Sequence, residues 1–530
     1  MSNDNSGQPD SQGSLIRSTS IISIGTLASR VLGFARDVIL AKFFGTGFQA
    51  DAFFVAFKIP NLFRDFVGEG AANSAVVPVF SEYLLQKDRK EFWRFVSVIL
   101  ALALISLTLL TLLGILLAPY IVRLMAPGFM AHPEKLALTI QLTKIMFPYL
   151  ILIGFTAYSM AVLYTFRSFT VPAFSPCLLN IAIIISALLS SRFLKEPVYG
   201  LAAGVLAGGL LQLLIQVRPM LKTGIKIYNP LPLNHPAAIR VGRLLLPRVF
   251  GAGVYQLNIF IDTFCASLSS VIGAGGISAI YYSNRIIQFP MGVFGFALAS
   301  AMLPTLSGLA AQNNLAQLKK TLVFILENIF FVMAPFSIML MLLANPIIRI
   351  LFQRGEFNQY STAITSWALL FYSIGLFSFG GIKILVTAFY ALQDTKTPVK
   401  IAAVCLVINT GLNFLLMIPL KVGGIALASS IAASIDFIWL FYRLDKRLGG
   451  INGGFKIFIA KVLVASVFTG VAVNQMWNTT CIPNEIIRIS LAMILGILFY
   501  GVLCFMLRID QARDIYRWLQ NLGNISRLRT

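Results

Sequence analysis

Long apolar stretches alternate with short polar connections along nearly the whole chain. About 20 consecutive apolar residues are enough to cross the hydrocarbon core of a bilayer as one helix. Fourteen such stretches are found, centred near residues 27, 66, 106, 152, 182, 208, 255, 294, 332, 375, 408, 432, 466 and 496. The pattern predicts an all-α polytopic membrane protein with 14 transmembrane helices, here called spans 1 to 14.

The lysines and arginines between the spans indicate the direction in which the chain crosses the membrane. Most of them follow even-numbered spans or lie in the two tails, as in the segment 87–94 and the pair Lys319 and Lys320. Short basic loops stay on the cytoplasmic side of a membrane. The charge pattern therefore predicts that both termini are cytoplasmic.

A repeated motif divides the chain into two related halves. Residues 75–81 read AVVPVFS, and residues 301–307, at an offset of 226, read AMLPTLS. An even number of crossings separates the copies, so we expect two pseudo-symmetric six-helix lobes in the same orientation, followed by two additional helices. The predicted segments are a disordered cytoplasmic tail at 1–14, lobes at 15–222 and 223–447, spans 13 and 14 at 448–508, and a cytoplasmic tail at 509–530.

Composition agrees with a polytopic membrane protein and excludes several other classes of protein. Of the 530 residues, 58% are hydrophobic and 12% are charged, and the net charge is +22. In a soluble chain that charge would suggest a nucleic-acid partner, but the apolar stretches are too long for that interpretation. The cysteines are scattered singly, the two histidines lie far apart, and no phosphate-binding loop, nucleophile elbow or HExxH motif occurs. Nothing in the sequence indicates an ATPase or a hydrolase, so we expect a protein that is not an enzyme and has no resident cofactor.

Charged residues inside the first two spans need an explanation, because an ionisable group at the bilayer centre costs about 2.5–3.5 kcal/mol. Arg30 and Asp37 are seven residues apart and share one face of a helix. Span 2 carries a stripe of charge at Asp51, Lys58, Asp65 and Glu69. Two interpretations stay open. In the first, these groups have a structural role, because they pair with each other between helices or reach the membrane surface from helix ends. In the second, they line a cleft.

Three arginines in the predicted spans suit a negatively charged ligand. Arg36, Arg64 and, in span 8, Arg285 each carry a planar guanidinium that matches the geometry of phosphate oxygens. Lys58 is a further cation, at the position that meets Arg285 when the repeat is shifted by one residue. Several cations in one cleft favour a phosphorylated ligand, and a purely structural role is the alternative.

A second, smaller polar set lies in the C-terminal half. One carboxylate with amide and hydroxyl oxygens can hold Na⁺, and a carboxyl group can equally carry a proton. Ordinary hydrogen bonding between helices is the alternative. The set consists of Asp262, Asn409, Asn413 and Ser429.

Glycine and proline interrupt spans 2 and 8 at matching depth. Breaks of this kind suit helices that bend as a cleft opens to one side of the membrane and then to the other. Close helix packing is the alternative reason for them. The residues concerned are Pro60, Gly68, Gly70, Pro290, Gly292 and Gly295.

Several long motifs match one known family. They are SRVLGFARD at 29–37, DAFFVAFKIPNLFRDFVGEGAANSAVVPVFSEY at 51–83, APGF at 126–129, YYSNRIIQFPMGVFGFALASAMLP at 281–304, LFQRGEF at 351–357 and QDTKTPVK at 393–400. These motifs resemble the MurJ/MviN lipid II flippases of the bacterial inner membrane. The resemblance implies the multidrug/oligosaccharidyl-lipid/polysaccharide (MOP) exporter fold with fourteen helices, which the MATE transporters share. It also implies export of the undecaprenyl-linked peptidoglycan precursor.

The same resemblance implies roles for individual residues. The essential cavity arginines of the family fall on Arg30, Arg36, Arg64 and Arg285. Other charged positions of functional interest fall on Asp37, Asp51, Lys58 and Glu69. The chain departs from some relatives at Asn284 and Gln288, which replace two acids thought to close a gate.

Two further expectations come from the resemblance. A Na⁺ site known in one branch of the family falls on Asp262, Asn409, Asn413 and Ser429, with Asn413 replacing an acid. Spans 13 and 14 are expected to form a groove for the lipid tail.

The expected mechanism is alternating access, with the substrate diphosphate bound in a cationic central cavity and with help from the membrane potential. Expected partners are lipid II, membrane lipids and other cell-wall synthesis proteins, and the chain is expected to be a monomer with no nucleic-acid partner. Three alternatives stay open: a flippase for another undecaprenyl-linked glycan, a multidrug cation antiporter of the same fold, and a scaffold for the cell-wall machinery.

Overall fold

The computed structural model describes residues 11–67, 71–231, 233–450, 454–479, 482–514 and 517. Within those residues the chain consists of helices and their connections, without a strand. The chain forms two compact units, Met1–Ser267 and Leu268–Thr530. Each unit is described below by itself.

The first unit contains nine α-helices and a short 3₁₀ turn. The turn, Pro127–Ala131, connects α4 to α5. The helices are α1 (Ser11–Phe44), α2 (Phe48–Val67), α3 (Ala71–Gln86), α4 (Arg89–Met125), α5 (Pro133–Met146), α6 (Tyr149–Thr165), α7 (Thr170–Phe193), α8 (Pro197–Lys222) and α9 (Pro236–Ser267).

The second unit contains eleven α-helices and a π-helical turn. The π turn, Met291–Phe296, separates α11 from α12. The helices are α10 (Ser269–Ile272), α11 (Gly276–Pro290), α12 (Ala297–Ala311), α13 (Leu315–Leu342), α14 (Ala344–Phe352), α15 (Gln359–Ile374), α16 (Leu376–Ala391), α17 (Lys396–Leu420), α18 (Val422–Arg447), α19 (Gly454–Thr479) and α20 (Glu485–Met506).

Among the described residues, nine segments are long and apolar enough to cross a membrane: α4, α5 with α6, α7, α8, α13, α17, α18, α19 and α20. α15 and α16 meet at 46° and together form a tenth, broken segment. α1, α2 and α9 are 34, 20 and 32 residues long but carry charged side chains. The chain is therefore an all-helical, multi-span membrane protein, and the number fourteen stays a prediction.

Several helices begin at a side chain that caps the first turn. The Asp88 carboxylate accepts a hydrogen bond from the Glu91 amide at 2.8 Å at the start of α4. Asn314, Asn358 and Asn484 cap α13, α15 and α20 in the same way. Each cap gives a partner to an amide group that would otherwise have none at the helix start, and so fixes where a long apolar helix begins.

α1 and α7 pack closely because small residues meet at their crossing. A Cβ atom added to Gly25 would lie 2.6 Å from the carbonyl oxygen of Ala173. A side chain at position 25 would therefore push the two backbones apart. This close approach brings the polar residues of α1 next to those of α7.

α9 is attached to the first unit at both ends. At its start, His235 Nε2 lies 3.1 Å from Glu91 Oε1, and Arg240 donates to Glu82 at 2.8 Å. At its end, the Ser267 hydroxyl accepts a hydrogen bond from the Gly128 amide at 3.1 Å. The start of α9 also joins an apolar cluster with α3 and α4, including Ala237, Ala238, Val241, Phe80, Phe92 and Phe95.

The predicted lobe boundaries rest on the internal repeat of the sequence, whereas the two units rest on packing. The two criteria can divide a chain differently, so the predicted boundaries stay a prediction. The predicted second lobe begins at residue 223, whereas α9 packs with the helices of the first unit. α1 begins at Ser11, inside the predicted tail at 1–14, and residues 1–10 lie outside the described residues. Most of the C-terminal tail also lies outside them.

The second unit changes helix type at a position that the sequence singled out. The π turn Met291–Phe296 follows Pro290 and contains Gly292 and Gly295, and α12 begins directly after it at Ala297. Gly68 and Gly70, the glycines predicted to interrupt span 2 in the first unit, lie outside the described residues.

Candidate functional site

Arg36 lies at the centre of a buried polar network between α1 and α7. Its Nη2 and Nε atoms donate to Asp37 Oδ1 at 2.8 and 3.0 Å, and its Nη1 atom donates to Asn180 Oδ1 at 3.1 Å. Asn180 in turn donates to the carbonyl of Ser29 at 3.1 Å. Arg36 is 7% exposed and Asp37 is fully buried.

This network gives Arg36 an opposite charge within the protein. A buried arginine is stable only when its charge is paired and its N–H groups are hydrogen-bonded. Arg30, one of the predicted site residues, lies on the same helix and is exposed. The structure therefore brings Arg36 and Asp37 together.

Asp51 forms the second buried ion pair of the first unit. Its Oδ2 atom lies 2.8 Å from Lys135 Nζ, which links α2 to the first turn of α5. The Lys135 ammonium also lies over the Phe129 ring, 4.3 Å from its centroid. The sequence left open whether Asp51 pairs with another helix or lines a cleft. The contact with Lys135 favours pairing between helices.

Lys58 lies between the same acid and α9. Its ammonium donates to the Thr263 hydroxyl at 2.9 Å, and the carboxylates of Asp262 and Asp51 lie near enough to act on it electrostatically. Asn258 donates to Asp262 Oδ2 at 3.4 Å. Positive and negative charges therefore alternate across α5, α2 and α9, in the order Lys135, Asp51, Lys58 and Asp262.

In the second unit, Arg285 has neutral hydrogen-bonding neighbours on its own helix. Its Nη1 atom lies 3.5 Å from Gln288 Oε1, and Gln288 donates to Asn284 Oδ1 at 3.0 Å. Asn284 and Gln288 are the two positions where some relatives are expected to carry acids. An amide accepts a hydrogen bond from arginine but does not neutralise its charge.

The residues of the predicted cation site are divided between the two units. Asn409 and Asn413 are buried on α17 and Ser429 is buried on α18, and Lys421 joins these two helices. Asp262 belongs to α9 of the first unit. Within the described residues there is no group of three His, Cys, Asp or Glu side chains that could hold a metal ion.

The amide and hydroxyl oxygens of Asn409, Asn413 and Ser429 are chemically suited to a hard monovalent cation. They carry no charge of their own. A site of this composition therefore depends on a carboxylate from elsewhere.

Three predicted residues cannot be placed. The side chains of Arg64 and Asp65, and the whole of Glu69, lie outside the described residues.

The structure adds three polar residues that the sequence did not single out. Lys135 and Asn180 are the partners of Asp51 and Arg36, and both lie far from them in sequence. Asp436 on α18 has a buried Oδ1 atom without a hydrogen-bond partner among the described residues. The sequence did offer one reason to notice Lys135. It is a lysine in a loop predicted to lie outside the cytoplasm, where basic residues are disfavoured.

Comparison with known sequences gives one family. The sequence model described as "Lipid II flippase MurJ" matches residues 40–496. A probable lipid II flippase MurJ of Buchnera aphidicola subsp. Acyrthosiphon pisum is 35% identical over 475 residues, which are 88% of this chain and 92% of the relative. The lipid II flippase MurJ of Burkholderia cenocepacia is 34% identical over 508 residues, which are 93% of this chain and 97% of the relative.

Comparison with solved structures agrees in fold. A structure described as "Lipid II flippase MurJ, inward closed conformation" is similar with a TM-score of 0.78 and 27% identity, over 93% of this chain and 99% of the other. An inward-facing multidrug resistance MATE transporter of the MOP superfamily is similar with a TM-score of 0.66 and 16% identity, over 82% of this chain and 99% of the other. The second likeness concerns the fold alone.

Proposed function

Because the chain belongs to the MurJ lipid II flippase family, we propose that it moves lipid II from the cytoplasmic to the periplasmic leaflet of the bacterial inner membrane. Lipid II is a disaccharide pentapeptide linked to undecaprenyl diphosphate. The family consists of transporters, so the chain is a flippase rather than an enzyme. Both termini lie in the cytoplasm in this proposal.

The cations of the two units bind the diphosphate of the substrate. Arg36, Arg64 and Arg285 are its main ligands, and Arg30 and Lys58 add to the positive field. The observation that carries this assignment is the buried Arg36 network, because a charged arginine held between an acid and an amide is costly to maintain for packing alone. A diphosphate oxygen is a stronger acceptor for a guanidinium than the Asn180 amide that Arg36 contacts here.

In this proposal, transport depends on Arg36 exchanging its hydrogen-bond partners within the protein for the diphosphate of the substrate. The diphosphate competes with Asn180 and Asp37 for Arg36 when the cavity is open to the cytoplasm, and the network closes again after release. The π turn at 291–296 provides a point where the second unit can bend, and Gly68 and Gly70 are its predicted counterpart in the first unit.

The membrane potential favours the outward step. Moving a negative charge outward across an inside-negative membrane gains roughly 2.3 kcal/mol per charge per 100 mV. A cationic empty cavity is drawn back by the same field. Coupling to Na⁺ or to a proton, through Asp262 with Asn409, Asn413 and Ser429, is a further part of the proposal.

α19 and α20 provide the place for the lipid tail. Their outer faces carry exposed apolar side chains, among them Phe468, Val471, Ile494 and Leu498. An undecaprenyl chain buries apolar surface against such a face at about 0.8 kcal/mol per methylene. The substrate is thus held at two chemically different places, its diphosphate by cations and its tail by an apolar groove.

The test is rescue of a bacterium depleted of its own lipid II flippase. We expect the wild-type chain to restore growth, and Arg36→Ala and Arg285→Ala to fail at matched membrane levels. Arg192→Ala, which removes an exposed arginine at the end of α7, is the matched control and should rescue.

Two results would contradict the proposal in different ways. Rescue by all variants would keep the function and remove the diphosphate-binding role of the two arginines. Failure of a stable, inserted wild-type chain would indicate another undecaprenyl-linked glycan as the substrate.

A further inference from the structure

Two arginines, Arg349 and Arg488, lie at one end of the second unit, where α14 and α19 both pack against α20. Arg349 on α14 lies 2.6 Å from the Glu485 carboxylate in the first turn of α20. Arg488, one turn further along α20, lies over the Trp477 ring at 4.3 Å and donates to the Trp477 carbonyl. Residues three apart on a helix are neighbours, so Arg488 lies one turn of α20 away from Glu485, the residue that pairs with Arg349.

Within the part of the chain that the structure describes, each of the two arginines has a donor group with no acceptor. The Nε atoms of Arg349 and Arg488 are buried and have no hydrogen-bond partner among the described residues. A buried donor left without an acceptor is costly, and more so when the group is charged. Glu485 supplies one negative charge for two positive ones, so the cluster has a net positive charge, and both Nε–H groups lack an acceptor among the described residues.

The surroundings of the cluster indicate where the missing acceptor comes from. Ile486 and Ile487, which follow Glu485 in sequence, are 61% and 56% exposed. α20 begins here and α19 ends here, and both are apolar enough to span a membrane. Tryptophan and arginine beside exposed isoleucines at the ends of spanning helices are typical of the lipid headgroup region.

We propose that Arg349 and Arg488 bind the phosphate group of an anionic membrane phospholipid. The phosphate oxygens accept hydrogen bonds from the two Nε–H groups, and the acyl chains lie against Ile486 and Ile487. On the predicted topology the site lies in the periplasmic leaflet. This lipid site is separate from the transported substrate and does not depend on the proposed function.

The geometry prepares both arginines for such a ligand. Glu485 holds one guanidinium through a salt bridge, and the Trp477 ring holds the other by a cation–π contact, so little side-chain freedom is lost on binding. A guanidinium binds phosphate through parallel N–H groups more strongly than an ammonium does. The site therefore favours arginine over lysine at both positions.

The experiment measures lipid retention by the full chain. The protein is extracted from vesicles of equal parts phosphatidylcholine and phosphatidylglycerol, and native mass spectrometry counts the bound lipids of each kind. We expect the variant with both Arg349→Gln and Arg488→Gln to retain phosphatidylglycerol about tenfold less well than the wild type. Arg123→Gln is the matched control, because Arg123 on α4 corresponds to Arg349 in the repeat and is exposed.

A third variant separates binding from folding. Glu485→Gln removes the negative charge but leaves both arginines and an oxygen that can accept from Arg349, so it should retain phosphatidylglycerol at least as well as the wild type. Equal losses in Glu485→Gln and the double arginine variant would show that the cluster only holds the helices together, and would overturn the proposal.

Two further results decide between lipid and free phosphate. If excess inorganic phosphate leaves the retained phosphatidylglycerol unchanged, the lipid is the ligand. If inorganic phosphate displaces it completely, or if the double variant retains as much as the wild type, the proposed lipid site is wrong.

Discussion

The two units treat corresponding cations differently. Lys58 in the first unit and Arg285 in the second correspond when the repeat is shifted by one residue. Lys58 has two carboxylates nearby, from Asp51 and Asp262, whereas the hydrogen-bonded neighbour of Arg285 on α11 is the amide of Gln288. The described contacts of Arg36, Lys58 and Lys135 in the first unit include carboxylates, and the described contact of Arg285 within α11 is an amide.

The difference bears on how an anion would bind. A carboxylate neutralises a cation and competes with an incoming phosphate, whereas an amide does neither to the same extent. We therefore expect the first unit to lose stability when its pairs are broken. We expect the chain to transport more slowly when an acidic side chain is introduced beside Arg285 in the second unit.

The largest effect should come from breaking the Asp51 pair. Lys135→Met leaves the Asp51 carboxylate buried without its cation, which costs about 3–5 kcal/mol. Thermal unfolding of the purified protein should show a marked drop relative to the wild type. A double variant that also carries Asp51→Leu should recover most of the loss, and an unchanged single variant would show that the pair contributes little.

A smaller loss should follow from Asp37→Asn. The change keeps an acceptor for Arg36 but removes the negative charge, which costs about 1–3 kcal/mol of stability. Unfolding and rescue are both to be measured, since the variant retains Arg36 itself. Asn180→Ala removes only a neutral partner and should cost less; the reverse order would mean that the amide, not the acid, holds Arg36.

Adding charge to the second unit should reduce transport without unfolding the chain. Gln288→Glu places a carboxylate three residues from Arg285, in the position where some relatives are expected to have an acid. We expect about two- to fivefold slower lipid II transport in vesicles, partly restored at high salt. Gln288→Ala is the uncharged control and should transport at the wild-type rate, so equal slowing of both variants would exclude a charge effect.

The smallest effect concerns acid stability at the connection between α16 and α17. Burial opposes ionisation of Asp394, but hydrogen bonds from the Thr397 amide and hydroxyl, together with Arg447 at 3.2 Å, hold the pKa of its carboxyl below the ordinary value. A lowered pKa stabilises the folded state above the ordinary value, and this contribution is lost as the pH falls through the lowered one.

The unfolding temperatures of the wild type and Asp394→Asn should therefore differ by a constant amount near neutral pH. The difference should shrink below about pH 4. Asp510→Asn, which removes only an exposed pair with Arg513 at 3.8 Å, is the control and should show no such convergence. A difference that persists in acid would mean that Asp394 acts through packing.

The helical membrane class was predictable from the sequence because it depends on local composition. An apolar stretch has to be a helix in a bilayer, whatever it packs against. The family was predictable because its motifs are long and contiguous. The helix break at residue 290 was also visible, since proline removes a backbone donor at a fixed position.

The ion pairs were harder to predict because they depend on distant residues. Asp37 was placed on the face of Arg30 by the seven-residue spacing, but the Arg36 side chain is long enough to reach its neighbour Asp37. The partner of Asp51 is 84 residues away, at the start of α5. A stripe of charge along one helix predicts that partners exist, and only the packing of other helices determines which ones they are.

The attachment of α9 to the first unit at both ends matters for any attempt to produce this protein as two polypeptides. A gene divided after codon 222 would separate His235 and Arg240 from Glu91 and Glu82, the acids they contact. A gene divided after codon 267 keeps those contacts within one product. The predicted repeat and the observed packing thus assign the same helix to different halves, and we expect the contacts to determine where the chain tolerates a cut.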